Sequence, residues 1–243
     1  MPSPNLKQTL RILFILASIG SLYFVPWPLV KAWILPLPDS VQEQVEEGVA
    51  QGFDGMIVYV DQGGKPAEFY AAGWHNRDKK KPAYSGALFK IASISKLYIA
   101  VAVAKLVNDG RLDLNKTLGE YFPDLKGRIE NADRITLRML VQHRSGIPDY
   151  SRTPNYWVDP PIANRDNLEL ILDKSADFVP DESYGYSNTN YLLIGELLDK
   201  ALGYNHHRYI KEEILNPLGL NNTYSLVSDV DDLDDNERIL CRV

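Results

Sequence analysis

Ser93 and Lys96 stand three residues apart near the head of the run Leu88–Val107, LFKIASISKLYIAVAVAKLV. Residues with that spacing share one face of a helix, so the Lys96 amine can come within reach of the Ser93 hydroxyl. A serine hydroxyl is a weak nucleophile until a neighbouring base takes its proton. A lysine acts as that base only in its neutral form, which burial and the positive end of a helix both favour. The chemistry open to such a pair is acyl transfer through an ester on the serine. A purely structural reading also exists, in which Ser93 caps a helix and Lys96 extends its amine to solvent.

The element that must position the pair is the helix itself. From Ile94 to Val107 its charged side chains are Lys96 and Lys105, so it reads as apolar nearly all round and is expected inside a domain. Leu97, Ile99, Val101, Val103 and Leu106 are expected to be buried, and Asn108, Asp109 and Gly110 to close the helix.

The whole chain has 243 residues, 45% hydrophobic and 24% charged, an ordinary globular balance sufficient for one large domain or two small ones. A net charge of -6 and a pI near 5.3 argue against nucleic acid as a partner. The basic run Arg77–Lys81 is interrupted by Asp78 and reads as a solvated turn. A single cysteine, Cys241, excludes an internal disulfide and a cysteine-based zinc site. His206 and His207 are adjacent and cannot share a helix face as ligands, and no third ligand stands at metal spacing, so no metal is expected; no cofactor is expected either.

At the N-terminus Lys7 and Arg11 precede an uncharged run, Ile12–Val30, which is about one bilayer span of roughly 20 residues. Tyr23, Trp27 and Trp33 gather toward its far end, and the leading positive charges place the N-terminus inside and the remainder outside the membrane. The expected partner of residues 12–30 is therefore a membrane, with the domain on the outer, periplasmic or extracytoplasmic side. The alternative is a signal segment cleaved after the small residues Ser18 and Gly20. Pro26 and Pro28 weaken the outer end of the helix.

Further along, Val41–Gln51 has helical spacing, and Met56–Asp61 with Ala67–Trp74 reads as a β-hairpin about the turn Gly63-Gly64. A short amphipathic piece spans Lys116–Phe122. Helices are expected from Thr136 toward His143, over Asn167–Lys174, over Asn188–Leu202 with Gly203 as its stop, and from His206 to Leu215. Residues 1–37 are read as the anchor or signal segment, 38–228 as the domain, and 229–243 as a solvated, disordered acidic tail.

Three segments in order then form a pattern. FKIASISK (Phe89–Lys96), ITLRMLVQHRSGIPDY (Ile135–Tyr150) and YGYSNTNYLLIGELL (Tyr184–Leu198) together resemble the serine β-lactamase and penicillin-binding protein superfamily, in its class C-like branch. GRLDLNKTLGEYFPDL (Gly110–Leu125) is similar to that branch's connector, and the likeness extends over roughly residues 40–228. The resemblance implies an α+β, β-lactamase/transpeptidase-like fold, a helical domain plus an antiparallel sheet. By the same resemblance Ser93 is the acylated nucleophile, Lys96 its partner in proton transfer, Tyr186 a second general base or acid, and Asn188 a substrate-binding amide. Alone, Tyr186 reads as a packed aromatic and Asn188 as a helix cap. His143 reads as structural, because no Gly-x-Ser-x-Gly elbow accompanies it.

One departure stands out. The family's third motif, a Lys-Thr-Gly or His-x-Gly triplet, does not follow Asn188. The expectation is a truncated or frame-shifted product in which the C-terminal strands and helix of the sheet are missing, together with one oxyanion donor. Two functions remain open: an exported serine hydrolase of β-lactams, D-alanyl peptides or esters, impaired by that loss; or a catalytically inactive membrane-tethered binding protein or non-functional fragment.

Overall fold

The computed structural model describes residues 4–159, 161 and 164–230. The chain forms two compact units, Met1–Leu88 and Phe89–Val243.

The first unit begins with α1 (Pro4–Ser21), a 3-10 turn (Leu22–Phe24) and α2 (Trp27–Ile34). Pro26 interrupts the apolar run, because proline cannot donate to the preceding turn and disfavours helix in the residue before it. The two halves, Leu6–Phe24 and Trp27–Ile34, are bent by 80°, and among the described residues no single helix is long and apolar enough to cross a membrane. α3 (Val41–Ala50) starts at a capping box in which the Ser40 hydroxyl accepts from the Glu43 amide while the Glu43 side chain accepts from the Ser40 amide. It lies on an antiparallel sheet of order β1 (Gly55–Val60), β2 (Glu68–Asn76), β3 (Lys81–Pro82). β1 and β2 pair from Gly55 opposite Gly73 to Val60 opposite Glu68, the expected hairpin. Gly73, at φ +77°, lies so close to Asp54 that a Cβ would fall 2.4 Å from its carbonyl oxygen. The short β3 is an addition to the sequence reading, and it follows the turn formed by the charged run.

The second unit has a helical core. α4 (Ser95–Asn108) packs on α8 (Asn188–Leu202) and α9 (His206–Ile210), and α6 (Leu137–Val141) packs on α8. Leu106, Ile135, Leu137, Leu193, Ile194 and Leu198 are fully buried between them. Thr136 caps α6 through the Met139 amide, and Thr117 starts α5 (Leu118–Tyr121) with a second capping box to Glu120. Leu118 N–H donates to the Ile135 carbonyl and Leu137 N–H to the Lys116 carbonyl, which binds the α5 connector to the entry of α6. Gly203, at φ +81°, ends α8 as expected. Beyond α9 the Lys211–Leu215 segment widens into a π-turn.

Two expectations are corrected. α7 spans Asn164–Glu169 and not Asn167–Lys174. Tertiary bonds end it, since Arg128 grips both Glu169 and Asp173, and Asp173, at φ +60°, donates its N–H to the Arg128 carbonyl. On α4, Val103 and Leu106 are buried and Ile99 packs against the core, but Leu97 and Val101 are exposed. Only one side of α4 faces α8 and α9, a choice that an all-round apolar sequence leaves open. The tail expected to be disordered lies, from residue 231, outside the described residues.

Candidate active site

Ser93 sits in a 3-10 turn, Ala92–Ile94, that runs straight into α4. Ala92 immediately before it has φ +45°, a left-handed conformation that an L-residue with a side chain adopts only under constraint. The turn brings Ser93 to the surface while Lys96, three residues on, is half-buried on the same side of the helix. Lys96 Nζ donates to Ser93 Oγ at 3.2 Å.

The partner helix supplies the rest. Tyr186 precedes α8 and Asn188 begins it. Ser93 Oγ lies 2.7 Å from Tyr186 OH, and Lys96 Nζ donates to Asn188 Oδ1 at 3.0 Å. The Tyr186 hydroxyl reaches the same Oδ1 at 3.4 Å, and Lys96 Nζ lies 5.2 Å from the centre of the Tyr186 ring. All four residues singled out in the sequence thus meet in one hydrogen-bonded cluster, formed by the N-terminal ends of α4 and α8.

The turn after α6 fixes where Tyr186 stands. His143 is buried, its ring 4.5 Å from that of Tyr186 and tilted by 32°. Its Nδ1 accepts the Ser187 backbone N–H at 3.2 Å, so the ring proton belongs on Nε2. Asn190 Nδ2 approaches the same Nδ1 at 3.3 Å, and Asn190 Oδ1 accepts from the Ser145 hydroxyl at 2.7 Å. Burial pushes the His143 imidazole below its ordinary pKa, and the nearby Lys96 charge adds to that. The backbone also binds: Gly185 N–H donates to the His143 carbonyl and Asp177 N–H to the Gly146 carbonyl. Gly146 is required there, since at φ +77° a Cβ would collide with the Phe178 carbonyl, 2.0 Å away.

Two members of the cluster are additions to the sequence reading. Asp149, buried, accepts from Asn188 Nδ2 at 3.3 and 3.2 Å through its two oxygens, and Ser151 Oγ accepts from the same nitrogen at 3.1 Å. Asp149 lay inside the quoted glycine-turn segment, but nothing in its spacing from Asn188 signals a contact. His206, by contrast, pairs with Asp199 at 2.7 Å at the junction of α8 and α9. Among the described residues no group of three or more His, Cys, Asp or Glu is placed to hold a metal ion.

The arrangement puts an exposed hydroxyl beside two groups able to take and return its proton, which is the requirement of nucleophilic acyl transfer. Known proteins resemble the chain in sequence and in fold. Penicillin-binding protein 4* of Bacillus subtilis (strain 168) is 28% identical over 180 residues, which is 72% of this chain and 39% of that protein. The D-amino acid amidase of Ochrobactrum anthropi SV3, solved with D-phenylalanine, superposes with a TM-score of 0.66 at 30% identity, over 75% of this chain and 51% of that one. The octameric penicillin-binding protein homologue from Pyrococcus abyssi gives a TM-score of 0.69 at 26% identity, over 81% of this chain and 47% of that one. The chain therefore spans about half or less of the length of these relatives. The Beta-lactamase family model matches residues 41–237, and on that match, joined to the β-lactamase/transpeptidase fold of helices plus antiparallel sheet, the chain belongs to the Beta-lactamase family of serine hydrolases.

Proposed function

We propose that this chain works as a serine hydrolase in which Ser93 is acylated, with Lys96 and Tyr186 as its proton-transfer partners and Asn188 as the amide that meets the substrate. The observation that carries the reading is the Ser93 hydroxyl held 2.7 Å from Tyr186 OH and 3.2 Å from Lys96 Nζ. In the acylation step Ser93 Oγ bonds to the substrate carbonyl carbon and its proton passes to the Tyr186–Lys96 pair. Collapse of the tetrahedral anion expels the amine or alcohol, which takes that proton back. Water repeats the sequence to release the acid and restore Ser93. The substrates assigned are D-alanyl peptides, their β-lactam mimics or simple esters, with the D-amino acyl compounds favoured. The names of the relatives support that class, penicillin-binding proteins and a D-amino acid amidase solved with D-phenylalanine.

The same proposal places the domain outside the cell, held to the membrane through residues 12–30. The uncharged run after Lys7 and Arg11 supports this. Recovery in the carbonate-washed membrane fraction is the expected result. A soluble form beginning near Ser21 would replace the anchor with a cleaved signal.

The test of the chemistry is covalent labelling by a fluorescent penicillin, read after denaturing electrophoresis. The wild-type chain is expected to carry the label on Ser93, and Ser93→Ala to lose it while keeping its melting temperature. Undiminished labelling of Ser93→Ala would sink the assignment. Reversible binding of the penicillin with no covalent label would favour the binding-protein reading.

A further inference from the structure

Asp149 is buried where the α6 loop enters the 3-10 turn Tyr150–Arg152, and its carboxylate, when ionised, can only accept hydrogen bonds. Its Oδ1 takes the Ser151 backbone N–H and the Ser151 hydroxyl, each at 3.0 Å. Both oxygens then lie within reach of Asn188 Nδ2, at 3.3 and 3.2 Å. This settles which way the Asn188 amide points. Its NH2 must face the carboxylate, so its oxygen faces Lys96 Nζ at 3.0 Å and Tyr186 OH at 3.4 Å. The reversed amide would set a carbonyl oxygen against a carboxylate and an NH2 group against the Lys96 amine. Ser151 reinforces the choice, because a hydroxyl that spends its one proton on Asp149 has only lone pairs left for Asn188 Nδ2, 3.1 Å away.

We propose that Asp149 is a positioning residue for the reaction of Ser93: it locks the Asn188 amide so that Lys96 and Tyr186 are offered an acceptor. The inference rests on the serine-hydrolase reading, and it extends the site by one residue that touches neither Ser93 nor Lys96 in the hydrogen-bond network. Asp149→Asn is the informative change. It is isosteric, and its oxygen can still accept from Ser151 and preserve the turn. Its new NH2 group, however, faces the NH2 of Asn188, and the amide at 188 escapes that clash by turning over. Lys96 then loses its acceptor.

The experiment uses the full chain and two readouts. One is the rate at which a fluorophosphonate phosphonylates Ser93, a step that forms the Oγ–P bond and releases fluoride and a proton. The other is the side-chain amide resonance pair of Asn188 in a 1H–15N spectrum, assigned by its loss in Asn188→Ala. In the wild type the pair should exchange slowly with solvent and be displaced from the free asparagine position. Asp149→Asn should move it and slow labelling roughly tenfold or more, at an unchanged melting temperature. Added to Asn188→Ala, the same change should cost less than about twofold, since its effect runs through Asn188. A role in the turn alone would slow both backgrounds equally and overturn the proposal. So would wild-type labelling of Asp149→Asn, or a wild-type Asn188 amide that exchanges and resonates like a free one, a result that needs no variant to fold. If the wild type is never labelled yet the Asn188 resonances respond as described, the hydrolase reading fails and the amide lock stands.

Discussion

α4 and α8 bring the clustered side chains together, are both rich in apolar residues, and are built on different principles. α8 is buried from its first turn: Thr189 and Asn190 are wholly enclosed, followed by Leu193, Ile194, Leu197 and Leu198. Its polar residues are fixed by neighbours, Thr189 through the Pro148 carbonyl and the Tyr150 N–H, Asn190 through Ser145 and His143. α4 is buried only at Ala102, Val103 and Leu106, while Ile94, Leu97 and Val101 form an exposed stripe beside Ser93. Ser93, the proposed nucleophile, therefore stands in the turn that opens into the exposed helix, behind a constrained Ala92. Of the groups around it, Lys96 shares the open helix, whereas Asn188 begins the closed one and Tyr186 stands just before it. Precision in the cluster comes from α8 and access comes from α4.

That contrast can be broken most severely in the middle of α8. Leu198→Ala removes a fully buried side chain from the core and should cost about 2–5 kcal/mol in urea unfolding. A smaller loss, below about 1 kcal/mol, would mean the core closes over the gap and α8 is less rigid than its burial implies. Asn190→Ala comes next, at about 1–3 kcal/mol, because the buried Ser145 hydroxyl and the His143 ring lose a shared partner. Labelling of Ser93 should slow in the same variant, since Tyr186 is stacked on that ring.

Acid should act on the closed side. The folded chain holds His143 below its usual pKa, through burial first and the Lys96 charge second, whereas the unfolded chain protonates near the ordinary value of about 6.5. Stability present above that value is therefore lost as the pH falls through the folded pKa. His207 adds in the same direction, through burial and then its neighbour His206. The melting temperature is expected to drop on going from about pH 7.5 to about pH 5.5, and His143→Asn, whose Oδ1 takes the place of Nδ1 and can still accept the Ser187 N–H, should flatten part of that drop. An unchanged slope would remove His143 from the account. The smallest effect belongs to the open side: Leu97→Ser, on the exposed stripe, should stay within about 0.5 kcal/mol of the wild type. A larger loss would show that this stripe is covered in solution.

Much of this was legible in the residues. The 3.6-residue period and the terminal glycine of Asn188–Leu202 and the Gly-Gly turn of the hairpin are local signals, and local signals survive folding. Ser93 and Lys96 could be paired from sequence because helical geometry alone brings positions three apart together. Their joining to Tyr186 and Asn188 was available only through likeness to a family, since nothing local relates residues so distant in the chain. The tertiary structure decided the rest. It chose which side of α4 faces the core, because an apolar sequence on all sides specifies no direction. It ended α7 through the Arg128 clamp. It also placed Asp149 against Asn188, because the meaning of a carboxylate lies in the donors around it, and those donors arrive from elements that only the packed chain brings side by side.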